Sequence, residues 1–293
     1  MPIKHSGLDR FLLALNAILL TLAVLIVVLP LLYIVVASFM DPSVLLSRGL
    51  SFKVSDWTLD GYQKILSNPA MVRGFGNAVL YSISFSFITV IVSVFAGYAL
   101  SDERLKGRRF FMTLFLITLF FGGGLIPTYL LVKNLGLLDT IWAIIIPGAV
   151  NVWNIILSRT FFKGVPNELK EAANVDGASE MKIFFQIVLP LSKPIIFVLA
   201  LYAFVGQWNS YFDAMIYLDN PNLHPLQLVL RSILIQNQVD PGMISDQLAM
   251  AEMKRLSEII KYAAIVISSL PLVIMYPFFQ KYFEKGVMVG SLK

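Results

Sequence analysis

Residues 171–194 read EAANVDGASEMKIFFQIVLPLSKP, a charged stretch set between two apolar spans. Small residues recur at helical spacing (Ala172, Ala173, then Gly177 and Ala178), with a break expected at Asp176-Gly177. Pro166 suits the first turn of a helix, where its missing N–H would have no partner anyway. A helix from about Pro166 to Val175 then stops at the glycine, which enters the left-handed region without a Cβ clash. Ser179 is the expected N-cap of a second short helix, with Glu180 at its positive end. That helix carries Phe184 and Ile187 on one face and runs toward Leu189-Pro190. Two short helices at a bend make a rigid knob that another protein can grip. The plain alternative is a solvated connector between spans.

The composition around this stretch decides the class. Hydrophobic residues make up 57% of the 293, charged residues only 14%, and the mean hydropathy is +0.76. A soluble domain of this length carries far more charge, so the chain reads as an integral membrane protein. The net charge of +5 comes without a basic run interleaved with aromatics, so nucleic acid is not an expected partner. There is no Cys, and His5 and His224 are too few and too far apart to suggest a metal site. Lys4 and Arg10 precede an apolar run in the manner of a signal peptide. The charge-free stretch from Phe11 to Met40 outlasts the roughly 7–15 residues of such a segment, which makes it a retained first span.

Charge-free intervals give six candidate spans: 11–40, 74–101, 110–132, 140–158, 194–212 and 262–280. Each is near or above the roughly 20 residues that cross the hydrocarbon core, and helices satisfy their own backbone there, so an all-α bundle is expected. No linker or repeat divides the chain, which reads as one transmembrane domain over 1–293. Lys4, Arg10, the loop Arg104, Lys106, Arg108 and Arg109, the 164–190 loop, and Lys281, Lys285 and Lys293 fall on one side. The positive-inside rule places both termini and the 164–190 loop in the cytoplasm.

The quoted stretch fits the pattern EAAxxDGAxxxxxFxxIxLPxxxP at every fixed position through Pro194. It thereby resembles the EAA loop of ABC-importer permeases, in the form of the carbohydrate-import branch. FGGGLIPTYLL from Phe121 and LQLVLR over 226–231 extend the likeness, over nearly the whole chain, to the LplC/YtcP-like subgroup of maltose-type (MalG-like) permeases. The tail departs from the family in lacking its final Gly. The resemblance implies a six-helix permease whose Glu171, Ala172, Ala173, Asp176, Gly177, Ala178, Phe184, Leu189 and Pro190 couple it to an ATPase. It implies no cofactor on this chain, ATP and Mg being bound by the ATPase. The implied partners are a second related permease, two ATPase subunits, an extracytoplasmic sugar-binding protein and membrane lipid, in a bacterial cytoplasmic (inner) membrane. Subgroup relatives serve alginate or pectin fragments as well as neutral glycans, which leans the substrate toward an acidic oligosaccharide.

Two places suggest the path through the membrane. Trp208, Asn209, Tyr211 and Asp213 close the fifth span, where amides and a carboxylate are expensive against lipid. Rings stack on sugar CH faces and amides bond hydroxyls; the plain alternative is a belt of interfacial aromatics. In the third span Gly122, Gly123 and Gly124 with Pro127 weaken the helix, so the break should face protein or water, or else mark tight helix packing. It is no phosphate loop, lacking GKS or GKT. Pro147-Gly148 is a second expected kink, and Trp57 with Tyr62 an expected interfacial anchor in the first outer loop. An ion-coupled secondary sugar transporter is the alternative function, disfavoured by charge-free spans. A membrane enzyme lacks any cluster with catalytic spacing.

Overall fold

A computed structural model describes residues 6–236 and 260–280, which are helical with one isolated bridge, Met40 to Trp57, and no sheet. Lys4, the turn at Asp240-Pro241-Gly242, the pattern through Leu248, Met253 and Leu256, and the tail with Lys281, Lys285 and Lys293 lie outside the described residues. Packing separates the chain into two compact units, 1–68 with 233–269 and 69–232 with 270–293.

In the first unit, helix α1 (Gly7–Ser38) starts at a reciprocal cap. The Asp9 N–H donates to Ser6 Oγ at 3.2 Å, and the Ser6 N–H to Asp9 Oδ2 at 2.8 Å. Its most apolar window is 0% buried within the chain. A helix hydrophobic on every face belongs in lipid or against other apolar helices. Helices α2 (Pro42–Arg48) and α3 (Asp60–Ser67) belong to the same unit, where Ala37, Met40 and Leu45 form a small core with Tyr262 against it. The Tyr62 hydroxyl shares a 2.6 Å hydrogen bond with Ser38, and the Tyr62 and Trp57 rings both contact Phe39.

The second unit is built on α4 (Pro69–Ser101), which packs along both α8 (Val152–Lys163) and α11 (Lys193–Trp208). Between α4 and α8 the chain forms α5 (Arg108–Phe120), α6 (Leu125–Asn134) and the short α7 (Trp142–Ile145). After α8 come α9 (Asn167–Val175) and α10 (Glu180–Ile183), and after α11 comes α12 (Phe212–Tyr217); α13 (Leu226–Gln236) and α14 (Ile260–Gln280) each have residues in both units. The buried face of α4 repeats small residues: Ser82, Ser86, Thr89, Ser93, Gly97 and Ser101. Such residues let helix backbones approach closely in a membrane. The approach is tightest at Gly97, where an added Cβ would stand 2.5 Å from Ser158 Oγ and 2.8 Å from Arg159 N. Ser86 Oγ donates to Ala200 O of α11 at 2.8 Å, and Arg159 Nε to Leu100 O at 3.0 Å. The hydroxyls of Ser82, Thr89, Ser93 and Ser158 are buried without a hydrogen-bond partner among the described residues.

The first part of α4 is stitched to the segment before α13. Asn77 Nδ2 donates to Asn222 O at 2.8 Å and His224 O at 3.1 Å, and Tyr81 OH to Leu223 O at 2.9 Å. Below these bonds lies a core of Tyr81, Val132, Ile144, Ile145, Tyr217 and Leu228.

The intervals 11–40, 74–101 and 262–280 each become one long apolar helix. The interval 110–132 is divided, as its glycines predict: α5 and α6 meet at 113° across 121–124, with Gly124 at φ +82°. The interval 140–158 breaks around Pro147-Gly148 into α7 and α8. In the interval 194–212 helix α11 ends at Trp208, and the helical stretch before it joins it at 76°. Among the described residues, length and composition alone qualify three helices to cross a membrane, or up to five with each bent pair counted as one.

Candidate functional site

The 164–190 loop folds into two short helices at a bend. Pro166 is the N-cap of α9, one position ahead of its expected place in the first turn. At the other end Asp176 closes the helix and Gly177 takes φ +76°. The Gly177 N–H donates to Asn174 O at 3.0 Å and the Ala178 N–H to Ala173 O at 2.9 Å. These paired bonds form a Schellman ending, which needs a left-handed residue just past the helix. Ser179 then adopts extended backbone, and its Oγ accepts from the Lys182 N–H at 3.4 Å to open α10. The helix continues through a π turn over Phe184–Val188 into Leu189–Leu191.

The expected residues divide by burial. Ala173 and Phe184 sink into a cluster with Ile183, Val188, Phe162 and Val94, with Ile187 and Leu189 packed at its edge. Phe184 meets Tyr98 and Phe95 of α4 at centroid distances of 4.7 and 5.1 Å. Glu171, Ala172, Asp176, Gly177 and Pro190 are exposed, and Ala178 is half-buried. One set of side chains therefore seats the knob on α4 while the other remains free to meet a partner. Val175 and Met181, 88% and 58% exposed, join that free surface. The motif did not point to them, although both are apolar residues off the Ala173–Phe184 face.

Polar contacts reinforce the seat. Arg104, after α4, places Nη2 2.8 Å from Asp102 Oδ2 and 2.9 Å from Glu180 Oε1, tying the α4–α5 loop to the start of α10. Its hydrogen bonds hold the Asp102 carboxyl below the usual carboxylate range. The Arg104 side chain is 68% exposed, so the tie fixes geometry more than it adds stability. Lys170 of α9 stands 5.6 Å over the Tyr98 ring. Beside α9 a cleft of about 500 Å³ is lined by Asp102, Glu103, Arg104, Lys163, Lys170 and Glu171. Glu171 makes no ion pair among the described residues.

The other expected group lies at the turn from α11 to α12. Trp208 is buried, parallel to Phe204 at 6.0 Å and edge-on to Phe75 at 5.6 Å. Asn209, Tyr211 and Asp213 are exposed, and Asn209 Nδ2 donates to Val205 O at 2.8 Å. Gly122, Gly123 and Gly124 sit on a different element, in the exposed break between α5 and α6. Among the described residues no three His, Asp or Glu side chains gather to hold a metal ion.

An apolar helical body with a small, charged knob seated on its central helix is the build of a membrane transport subunit. The chain belongs to the family described as binding-protein-dependent transport system inner membrane component, whose sequence profile matches residues 4–289. Protein LplC of Bacillus subtilis (strain 168) is 39% identical over 268 residues, covering 92% of this chain and 90% of that protein. The polygalacturonan/rhamnogalacturonan transport system permease protein YtcP of the same organism is 38% identical over 273 residues, covering 92% and 93%. A chain in the crystal structure of a bacterial ABC transporter involved in the import of the acidic polysaccharide alginate matches with a TM-score of 0.84. It is 32% identical, over 96% of this chain and 99% of that one. The resemblance to maltose-type permeases of the LplC/YtcP kind therefore holds. These relatives favour a permease of a binding-protein-dependent ABC system over an ion-coupled secondary transporter.

Proposed function

We propose that this chain forms half of the translocation pathway of an ABC importer for oligosaccharides, paired with a second related permease. Two ATPase subunits bind ATP and Mg and grip the 164–190 knob, and an extracytoplasmic sugar-binding protein delivers the substrate. Both termini are cytoplasmic, and six helical segments cross the membrane, the broken ones counted as single passes. Closure of the ATPase pair moves the knob, and the helices tilt between inward- and outward-facing states. The substrate class follows the relatives, whose names specify polygalacturonan, rhamnogalacturonan and alginate: an acidic oligosaccharide. Asn209, Tyr211 and Asp213 face the path, with Trp208 as their packed support, and Gly122–Gly124 bend α5–α6 beside it.

The observation that carries this reading is the divided knob, with Ala173 and Phe184 anchored while Glu171, Ala172, Val175 and Met181 stay exposed. The chain has no Cys, so a single one reports without background. Val175→Cys should crosslink to the ATPase subunit in the assembled transporter, in a manner that changes with bound ATP. A transporter that assembles and imports normally, yet gives no such crosslink, would remove the coupling role from this loop.

A further inference from the structure

Helix α13 carries one charged residue, Arg231, in LQLVLRSILIQ. Around it Leu228, Val229 and Leu230 are buried in the body of the unit. A charged side chain set among so many apolar neighbours calls for a partner or a polar path. Its partners are few. The guanidinium carbon stands 5.3 Å from the centre of the Tyr211 ring, and Nη1 lies 3.2 Å from Met215 Sδ. A thioether is a weak acceptor, and Arg231 takes part in none of the ion pairs among the described residues. A guanidinium held over a ring by cation–π attraction still presents N–H groups along its edge, and their fork matches a planar carboxylate.

The neighbourhood is polar in a useful way. Tyr211 and Asn209 are exposed on the α11–α12 turn. Asn209 commits its Nδ2 to Val205 O at 2.8 Å, which leaves Oδ1 to accept from a hydroxyl. We infer that Arg231, held over the Tyr211 ring, reads a carboxylate of an acidic sugar as it crosses, with Asn209 accepting from a ring hydroxyl. This rests on the oligosaccharide-permease reading and adds the group that selects for charge. Lys at this position keeps the charge but loses the planar fork.

The test uses the complete transporter with its binding protein in proteoliposomes, comparing uptake of trigalacturonate with that of its methyl ester, each at saturation of the binding protein. Arg231→Gln should lower acid uptake on the order of thirtyfold, the cost of leaving one member of a close charge pair alone, with ester uptake unchanged. Arg231→Lys should lie between; if the Gln variant fails to assemble, a loss of acid over ester uptake in the Lys variant supports the inference in its place. Equal losses for acid and ester would make Arg231 a packing residue and overturn the inference. So would a loss seen only in vesicles rich in phosphatidylglycerol and absent in phosphatidylcholine, which would assign the guanidinium to a lipid phosphate. A wild-type transporter that moves the ester but not the acid also overturns it and leaves the permease reading standing. One that moves no oligosaccharide at all takes the permease reading down as well.

Discussion

Gly177 holds φ +76°, yet a Cβ built on it meets nothing within 4 Å. Backbone conformation alone therefore sets the cost of replacing it within the chain, about 1–2 kcal/mol for an ordinary L-residue. Size matters only once a partner closes over the turn. This separates two effects that a single substitution would merge. Gly177→Asn should retain most ATPase-coupled import, because Asn tolerates the left-handed region. Gly177→Ala should lose a modest part, and Gly177→Leu should insert normally but no longer copurify with the ATPase. Glu171 is exposed and unpaired among the described residues, so its charge is available to a basic residue across the interface. Removing one member of a partly desolvated pair costs about 2–5 kcal/mol, so Glu171→Ala should also lose the ATPase on purification. Full transport by both Gly177→Leu and Glu171→Ala would reduce the loop to a solvated connector.

At the scale of elements, the α4–α8 seam depends on Gly97. An added methyl would press on the Arg159 backbone nitrogen at 2.8 Å, which has no rotamer through which to yield. Gly97→Ala should therefore cost about 1–3 kcal/mol, the range for overpacking a well-filled site, read as a lower unfolding temperature in detergent. Ser93→Ala should be neutral or mildly stabilising, since the Ser93 hydroxyl is buried without a partner. Equal destabilisation by both would refute close packing as the reason for the small residues. The same contrast explains what the sequence disclosed. The knob was legible because its signals are local: a left-handed glycine, a serine cap and a proline each act within one turn of chain. The helices of 7–38, 69–101 and 260–280 were legible because an uninterrupted apolar run has one dominant solution in lipid. Charge-free length says nothing of direction, and so the 113° and 76° bends could not be measured in advance. Nor could the link from Arg104 to Glu180, which joins residues distant in sequence, or the burial of Trp208 against Phe75 and Phe204. Those depend on which helices become neighbours.

For the molecule as a whole, topology is the first thing to establish. Residues 53 and 176 stand on opposite sides of the membrane if α4 crosses it once and the intervening segments make complete passes. In a chain without Cys, Lys53→Cys should react with an impermeant maleimide from outside the cytoplasmic membrane, and Asp176→Cys only after it is opened. Labelling of Asp176→Cys from outside would invert the proposed orientation. Most of the α1 surface is bare within the chain, as expected of a helix that is apolar on every face and set in lipid. The 33 residues of α4 make a rod about 50 Å long at 1.5 Å per residue. Near one end it bonds the segment around Leu223, and near the other it seats the knob through Tyr98. Turning a rod of that length by ten degrees about its middle carries each tip about 4 Å. Ser86, at its middle, bonds Ala200 of α11, and Arg159 holds Leu100 near one tip. In mechanical terms α4 is a lever pivoted near its middle with a gearing close to one: a few ångströms of travel imposed on the knob arrive as a few ångströms at the far tip.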